Sequence, residues 1–176
     1  MSIDLKLVNM QPGKAPVAAI AKKLKESLNS HLSDISEELK KGYKGRANEV
    51  SNYLEPLIAK RLSSISGFEV SIPTVKGKKR SAGYPDRVLK AGNLYMYVEI
   101  KTFQEKTEDS SLRSFYYKPS EKNKVTISCP HLLIGAEVES LGGENKSPFV
   151  IKKFKIMDLH NLKVDLKPEF NASNPM

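Results

Sequence analysis

Cysteine is almost missing from this chain: Cys129 is the only one in 176 residues. An internal disulfide and a cysteine-built zinc cage are therefore excluded, and the apolar neighbours of Cys129 point to an inert buried thiol. Long apolar runs are missing as well. Nothing approaches the roughly 18 to 20 consecutive apolar residues that span a bilayer, and Met1 to Lys14 lacks the hydrophobic core of a signal peptide. A soluble, intracellular, cytoplasmic protein is expected, without redox chemistry. There is no internal repeat and no low-complexity stretch. The length suits one compact domain with a real core rather than two.

Positive charge is what the chain has in excess. Lysine and arginine total 29 against 20 aspartates and glutamates, a net charge of +9. A polyanion is the natural large partner for such a surface, and nucleic acid heads that class, although a basic surface also serves solubility alone.

Apolar residues at three- and four-residue steps from Ile20 to Leu39 predict one long amphipathic helix over Ala15 to Lys41. Gly42 and Gly45 interrupt it. A second helical pattern runs from Ala47 to Ile65, with Pro56 as a kink or junction and Gly67 as the stop. The texture then turns to β. Phe68 to Val75 reads as a strand despite Pro73, followed by an exposed basic loop containing Lys76, Lys78, Lys79 and Arg80. Strands at Tyr84 to Leu89 and Leu94 to Phe103 flank the turn-forming residues Lys90 to Asn93. Asp109 to Ser111 offers a cap for a helix over Leu112 to Tyr117, and two more β runs follow at Val125 to Val138 and Phe149 to Leu159. The fold class is α/β or α+β in a single domain of residues 1–176: a helical extension (1–45), a core (46–159) and a polar tail (160–176) whose unpatterned end leaves truncation open.

The predicted hairpin carries the chemistry. An acid, any residue, then lysine occurs five times, at Asp4, Glu38, Glu99, Glu144 and Asp165. Only Glu99 and Lys101 close a predicted strand, and only they follow the chain's single Pro-Asp pair, Pro85 and Asp86. Alternation along the strand puts Tyr95, Tyr97, Glu99 and Lys101 on one face. A tight turn at Ala91 and Gly92 would set Asp86 opposite Tyr97 and diagonal to Glu99, with Cα atoms roughly 7 to 8 Å apart. Two carboxylates so placed can share one hard cation such as Mg²⁺, which takes oxygen ligands and needs no histidine or cysteine cluster. A metal-bound water beside Lys101 would then suit phosphodiester hydrolysis.

Pro85-Asp86 followed by Glu99-Ile100-Lys101 on the next strand resembles the PD-(D/E)XK nuclease superfamily, to which most type II restriction endonucleases belong. The resemblance spans roughly Arg46 to Leu159. It implies a restriction-endonuclease-like core, with a central mixed β-sheet flanked by helices, to which the N-terminal amphipathic helix is an addition. Asp86 and Glu99 would be metal ligands, the Ile100 carbonyl a further ligand, and Lys101 the catalytic lysine. An upstream helix acid is common in the superfamily, and Glu49 is the candidate here. The implied protein is a Mg²⁺-dependent endonuclease of double-stranded DNA with Mn²⁺ able to substitute, a homodimer of a prokaryotic restriction-modification system.

Other readings of the same residues stay open. Glu99 and Lys101 can form the wet face of an antiparallel strand, Asp86 can be a turn residue, and Glu49 a solvated helix position. The loop Lys76 to Arg80 and the cluster Arg113, Lys118, Lys122 and Lys124 suit DNA phosphates, or solubility alone. His131 reads as structural. A non-catalytic nucleic-acid-binding module and a junction resolvase or repair nuclease of the same fold are the rival functions.

Overall fold

The computed structural model describes residues 15–75, 77–79, 83–107, 116–117, 124–143, 146–160 and 165–166. Three helices come first: α1 (Ala15–Ser30), α2 (Leu32–Gly42) and α3 (Val50–Ser63). The expected single N-terminal helix is thus two. Backbone bonds His31 N to Ser27 O and Ile35 N to His31 O still run across the joint. The Ser30 hydroxyl and His31 Nδ1, however, both bond the Ser27 carbonyl. Short polar side chains that compete for a helix carbonyl bend the helix there. A 3₁₀ turn at Ala47–Glu49 leads into α3, which runs through Pro56 unbroken.

Among the described residues nine strands follow: β1 (Phe68–Ser71), β2 (Thr74–Val75), β3 (Lys78–Lys79), β4 (Arg87–Ala91), β5 (Leu94–Phe103), β6 (Tyr116–Tyr117), β7 (His131–Ser140), β8 (Phe149–Asp158) and β9 (Asp165–Leu166). The central sheet has the order β1-β4-β5-β7-β8, parallel between β5 and β7 and antiparallel elsewhere. The strand expected over Phe68 to Val75 is broken at Ile72-Pro73, because proline offers no N–H to a ladder. Its second half pairs with Lys78–Lys79 as a small separate hairpin. Tyr116 and Tyr117, expected at the end of a helix, instead pair in parallel with Asp165 and Leu166. The capping segment Asp109 to Ser111 lies outside the described residues.

All three helices lie over one face of the sheet, with α1 and α2 against β8 and α3 against β1 and β5. The stripe Val50, Leu54, Ile58 and Leu62 of α3 meets Met96, Val98 and Ile100 of β5 and Leu132, Ile134 and Ala136 of β7 in one continuous core. Each leucine or isoleucine fully buried there contributes about 1.5–3 kcal/mol relative to exposure. A shift of register between Glu137 and Val138 interrupts the β7–β8 ladder. The buried Ser36 hydroxyl of α2 accepts from Ile151 N at 2.9 Å at that place, so the helix supplies a partner where the ladder is irregular. Tyr97 and Glu99, alternating with the core residues of β5, face the other side of the sheet.

Candidate active site

The β4–β5 hairpin turns at Gly92-Asn93, since Ala91 pairs with Leu94. Gly92 has φ +59°, a conformation that an L side chain resists. The sequence placed the turn one residue earlier. Moving it shifts the register by two, so every residue keeps its face while its partner changes. Arg87 pairs with Val98, and Asp86, the next residue outward, therefore stands across from Glu99 instead of diagonal to it. Asp86 is locked there because its Oδ2 accepts from the Ile100 backbone N–H at 2.8 Å. The carboxylate thus bridges to the strand that carries Glu99 and Lys101.

Glu99 is 4 % exposed. Its Oε1 is ion-paired with Lys101 Nζ, and its buried Oε2 has no hydrogen-bond partner among the described residues. The Glu99 pKa is pushed up to about 7, chiefly by burial and in part by the Asp86 charge, against the opposing pull of Lys101 and Lys124. The Lys101 side chain is 52 % exposed. Burial works against its charge, yet Glu99, Asp86 and Glu55 together hold its pKa above the ordinary lysine value. Two carboxylates repelling each other, one with an orphan oxygen, fit a small divalent cation: its charge would remove the repulsion and occupy Oε2. Among the described residues no three carboxylate, histidine or cysteine side chains form a metal cage. The sparse oxygen set that the family resemblance implies, Asp86, Glu99 and the Ile100 carbonyl, would suit an ion that keeps several waters.

Glu49 ends the 3₁₀ turn before α3, and its charge bears on Tyr43. The helix acid next to the hairpin is Glu55, which sequence reasoning passed over. Glu55 is paired with Arg87 NH1, and the same nitrogen donates to the Asp86 carbonyl at 2.8 Å. Six residues at 3.6 per turn put Glu49 and Glu55 about 120° apart around a helix. The available signal was that Glu55 borders the buried Leu54 and Ile58, whereas Glu49 precedes the helix proper.

Lys78 and Lys79 form an exposed strand of the small hairpin. Lys76, Arg80, Arg113, Lys118 and Lys122 lie outside the described residues. Lys124, expected with the exposed cluster, is 2 % exposed instead. Cys129 is buried and its thiol is pushed up to about 11 by that burial, as an inert thiol should be. His131 is buried, bonded through Nδ1 to the Tyr84 hydroxyl and set edge-on to Tyr97 at 5.0 Å. Burial drives its pKa down to about 4, so it is neutral and structural at ordinary pH.

A mixed five-stranded sheet, a helical layer on one face, and a carboxylate pair with lysine on one hairpin define a restriction-endonuclease-like nuclease of the PD-(D/E)XK type. Residues 2–176 match the family described as type II restriction enzyme MjaV. The type II restriction enzyme MjaV of Methanocaldococcus jannaschii is 37% identical over 172 residues, which cover 87% of this chain and 72% of that protein. The chain belongs to the type II restriction enzyme MjaV family.

Proposed function

We propose that the protein is a type II restriction endonuclease that hydrolyses phosphodiester bonds of double-stranded DNA at a specific short sequence, using Mg²⁺ held by Asp86, Glu99 and the Ile100 carbonyl. The observation that carries the metal assignment is the buried Oε2 of Glu99, without a hydrogen-bond partner among the described residues, on the strand opposite Asp86. Bound there, a divalent ion supplies charge neutralisation and an acidified water. The chain's own residues do the rest. The Ile100 N–H fixes the orientation of the Asp86 carboxylate. Lys101 is held charged by Glu99 and would stand beside the attacking water. In that place it would orient the water for in-line displacement and stabilise its developing negative charge.

Glu55 and Arg87 hold α3 against the residue that carries Asp86, which supports Glu55, rather than Glu49, as the acid at the edge of the site. Lys78 and Lys79 supply backbone contacts to DNA, which position the duplex without reading it. One such centre cuts one strand, so duplex cleavage calls for two, and a homodimer is the arrangement that provides them.

Incubation with a mixed pool of long duplex DNA and Mg²⁺, beside Asp86→Asn, Glu99→Gln, Lys101→Met and a chelator control, tests the proposal. Discrete fragments from the wild type, absent in every control, are expected. Binding without cutting across several divalent metals would sink the nuclease reading and leave a non-catalytic binding module.

A further inference from the structure

We propose that Tyr84 is a positioning residue of the nuclease centre: bonded to and stacked on His131 across β5, it sets where Asp86 stands against Glu99. The inference rests on the nuclease reading above and extends it to two residues outside the hairpin motif.

Asp86 needs such support. β4 begins at Arg87, whose pairing with Val98 is the outermost of the β4–β5 ladder, so Asp86 stands beyond the regular bonds of the sheet. Pro85 before it has no N–H to give, and Gly83, at φ +82°, turns the chain just upstream. Asp86 and Glu99 carry like charges, and their repulsion favours separation. A small cation held by both, with bonds of about 2.0–2.1 Å, needs their oxygens within narrow limits. The Ile100 N–H holds the Asp86 carboxylate and Arg87 holds its carbonyl. Neither contact reaches the segment that leads to Asp86.

Tyr84 restrains that segment. β5 lies between β4 and β7 in the sheet, and the Tyr84 hydroxyl is bonded to His131 Nδ1 at the start of β7. The two rings also stack, with centroids 5.7 Å apart and planes 21° from parallel. His131 alternates with the core residue Leu132, so it faces the carboxylate side of the sheet. It stands beside Tyr97, about 7 Å along the strands from the row of Glu99. Tyr84 therefore spans β5 on the face that carries Glu99. Burial raises the Tyr84 pKa and the Glu99 and Asp86 charges add to that, so the phenol stays protonated beside them. The anchor itself is fixed: Tyr97 N donates to the Pro130 carbonyl at 3.0 Å, and Leu159 N to the His131 carbonyl at 2.9 Å. Tyr97, beneath the strut, is engaged elsewhere, its hydroxyl donating to the Lys124 carbonyl at 3.2 Å and accepting from Thr126 N at 2.9 Å.

For stability alone the pair is a poor choice. His131 is 1 % exposed, and its buried Nε2 has no hydrogen-bond partner among the described residues. In either neutral tautomer that nitrogen is an unanswered donor or acceptor, which costs stability. An apolar pair of the same shape would carry no such cost. What the polar pair adds is direction. Its hydrogen bond fixes the distance and angle at which Tyr84, and two residues later Asp86, meets the sheet.

The test compares wild type, Tyr84→Phe and the double variant Tyr84→Phe/His131→Leu by thermal melting, Mn²⁺ affinity, metal-free DNA affinity and single-turnover cleavage. Tyr84→Phe keeps the ring and drops the bond; the double variant also removes the imidazole with its orphaned nitrogen. Both are expected to lose about 10- to 100-fold in Mn²⁺ affinity and in cleavage rate, with DNA affinity unchanged. The double variant should nevertheless melt at or above the wild-type temperature. Metal affinity that falls while stability holds is a result that a merely structural pair would not give. Wild-type Mn²⁺ affinity and cleavage in either variant overturn the proposal. So does a double variant that melts well below wild type, because the pair would then serve stability. Wild type that takes up no ion and cuts no DNA would fail the nuclease reading itself, before any variant is compared.

Discussion

The two faces of the central sheet are built on opposite principles. The face under the helices is mainly apolar: Leu54, Ile58, Met96, Val98, Ile134 and Ala136 are fully buried in it, and its buried charge, Arg87, is ion-paired with Glu55 of α3 at the edge. The opposite face buries charge, with Glu99, Lys124 and Glu137 among its inaccessible side chains. The first arrangement gives stability at little electrostatic cost, because its buried charge is paired. The second gives stability up, because ionised groups taken from water must be compensated. One strand, β5, serves both faces through simple alternation, so the rigidity of the core is handed to the carboxylate one residue away. The apolar face fixes where Glu99 stands, and the polar face leaves it short of a partner.

Substitutions on the polar face should abolish activity without unfolding the chain, and this is the largest effect. Lys101→Met is expected to slow cleavage by about 10²–10⁴-fold, the usual weight of a group positioned on a reacting proton, with its thermal melt close to that of wild type. Loss of folding together with activity would show that the two faces are not separable. The converse variant, Leu54→Ala on the apolar face, should cost about 2–5 kcal/mol of stability. In a domain of this size that lowers Tm by roughly 5 to 15 °C, while cleavage well below the transition stays near wild type. Calorimetry beside a cleavage assay checks both.

A smaller and more discriminating effect concerns pH. Burial lifts Glu99 to about 7 from the ordinary 4.5, so between these values the folded chain keeps a proton that the unfolded chain has released. Stability therefore falls as pH rises through that window, and the loss is complete above pH 7. Glu99→Gln should thus be more stable than wild type by about 1–3 kcal/mol at pH 8 and indistinguishable from it near pH 4. Equal melting at both pH values would mean that Glu99 is solvated like an ordinary carboxylate. The smallest effect belongs to the exposed hairpin. Replacing Lys78 and Lys79 by alanine should lower DNA affinity uniformly across sequences and flatten the dependence on salt by roughly one unit of slope for each phosphate no longer neutralised, with little change in kcat. An unchanged salt slope would place DNA elsewhere.

The sequence disclosed these faces unequally, and the reasons are physical. Periodicity alone exposed α3 and the core side of β5, because apolar spacing is a direct record of which side is dry. The pairing of Asp86 with Glu99 was half visible: parity fixed their common face, but the turn at Gly92-Asn93 decided the partner, and a one-residue error there moves the register by two. Glu55 was invisible as a site residue because its role depends on Arg87, 32 residues away in sequence. Lys124 was grouped with a cluster suited to DNA phosphates or solubility, and its burial was missed for the same reason. Nothing in its neighbours in the chain announces that Tyr97 will draw it inward. The break between α1 and α2 was missed because it comes from two side-chain contacts to the Ser27 carbonyl, which leave the apolar spacing intact.

The central claim, that Asp86 and Glu99 form a single cation site, is most directly tested by titrating Mn²⁺ into wild type, Asp86→Asn and Glu99→Gln in the presence of duplex DNA, by calorimetry at pH 6 and pH 8. The account predicts that wild type takes up the ion more tightly at pH 8, with proton release at pH 6, and that each variant binds at least about tenfold more weakly. Equal affinity in all three proteins, with no dependence on pH, would contradict it.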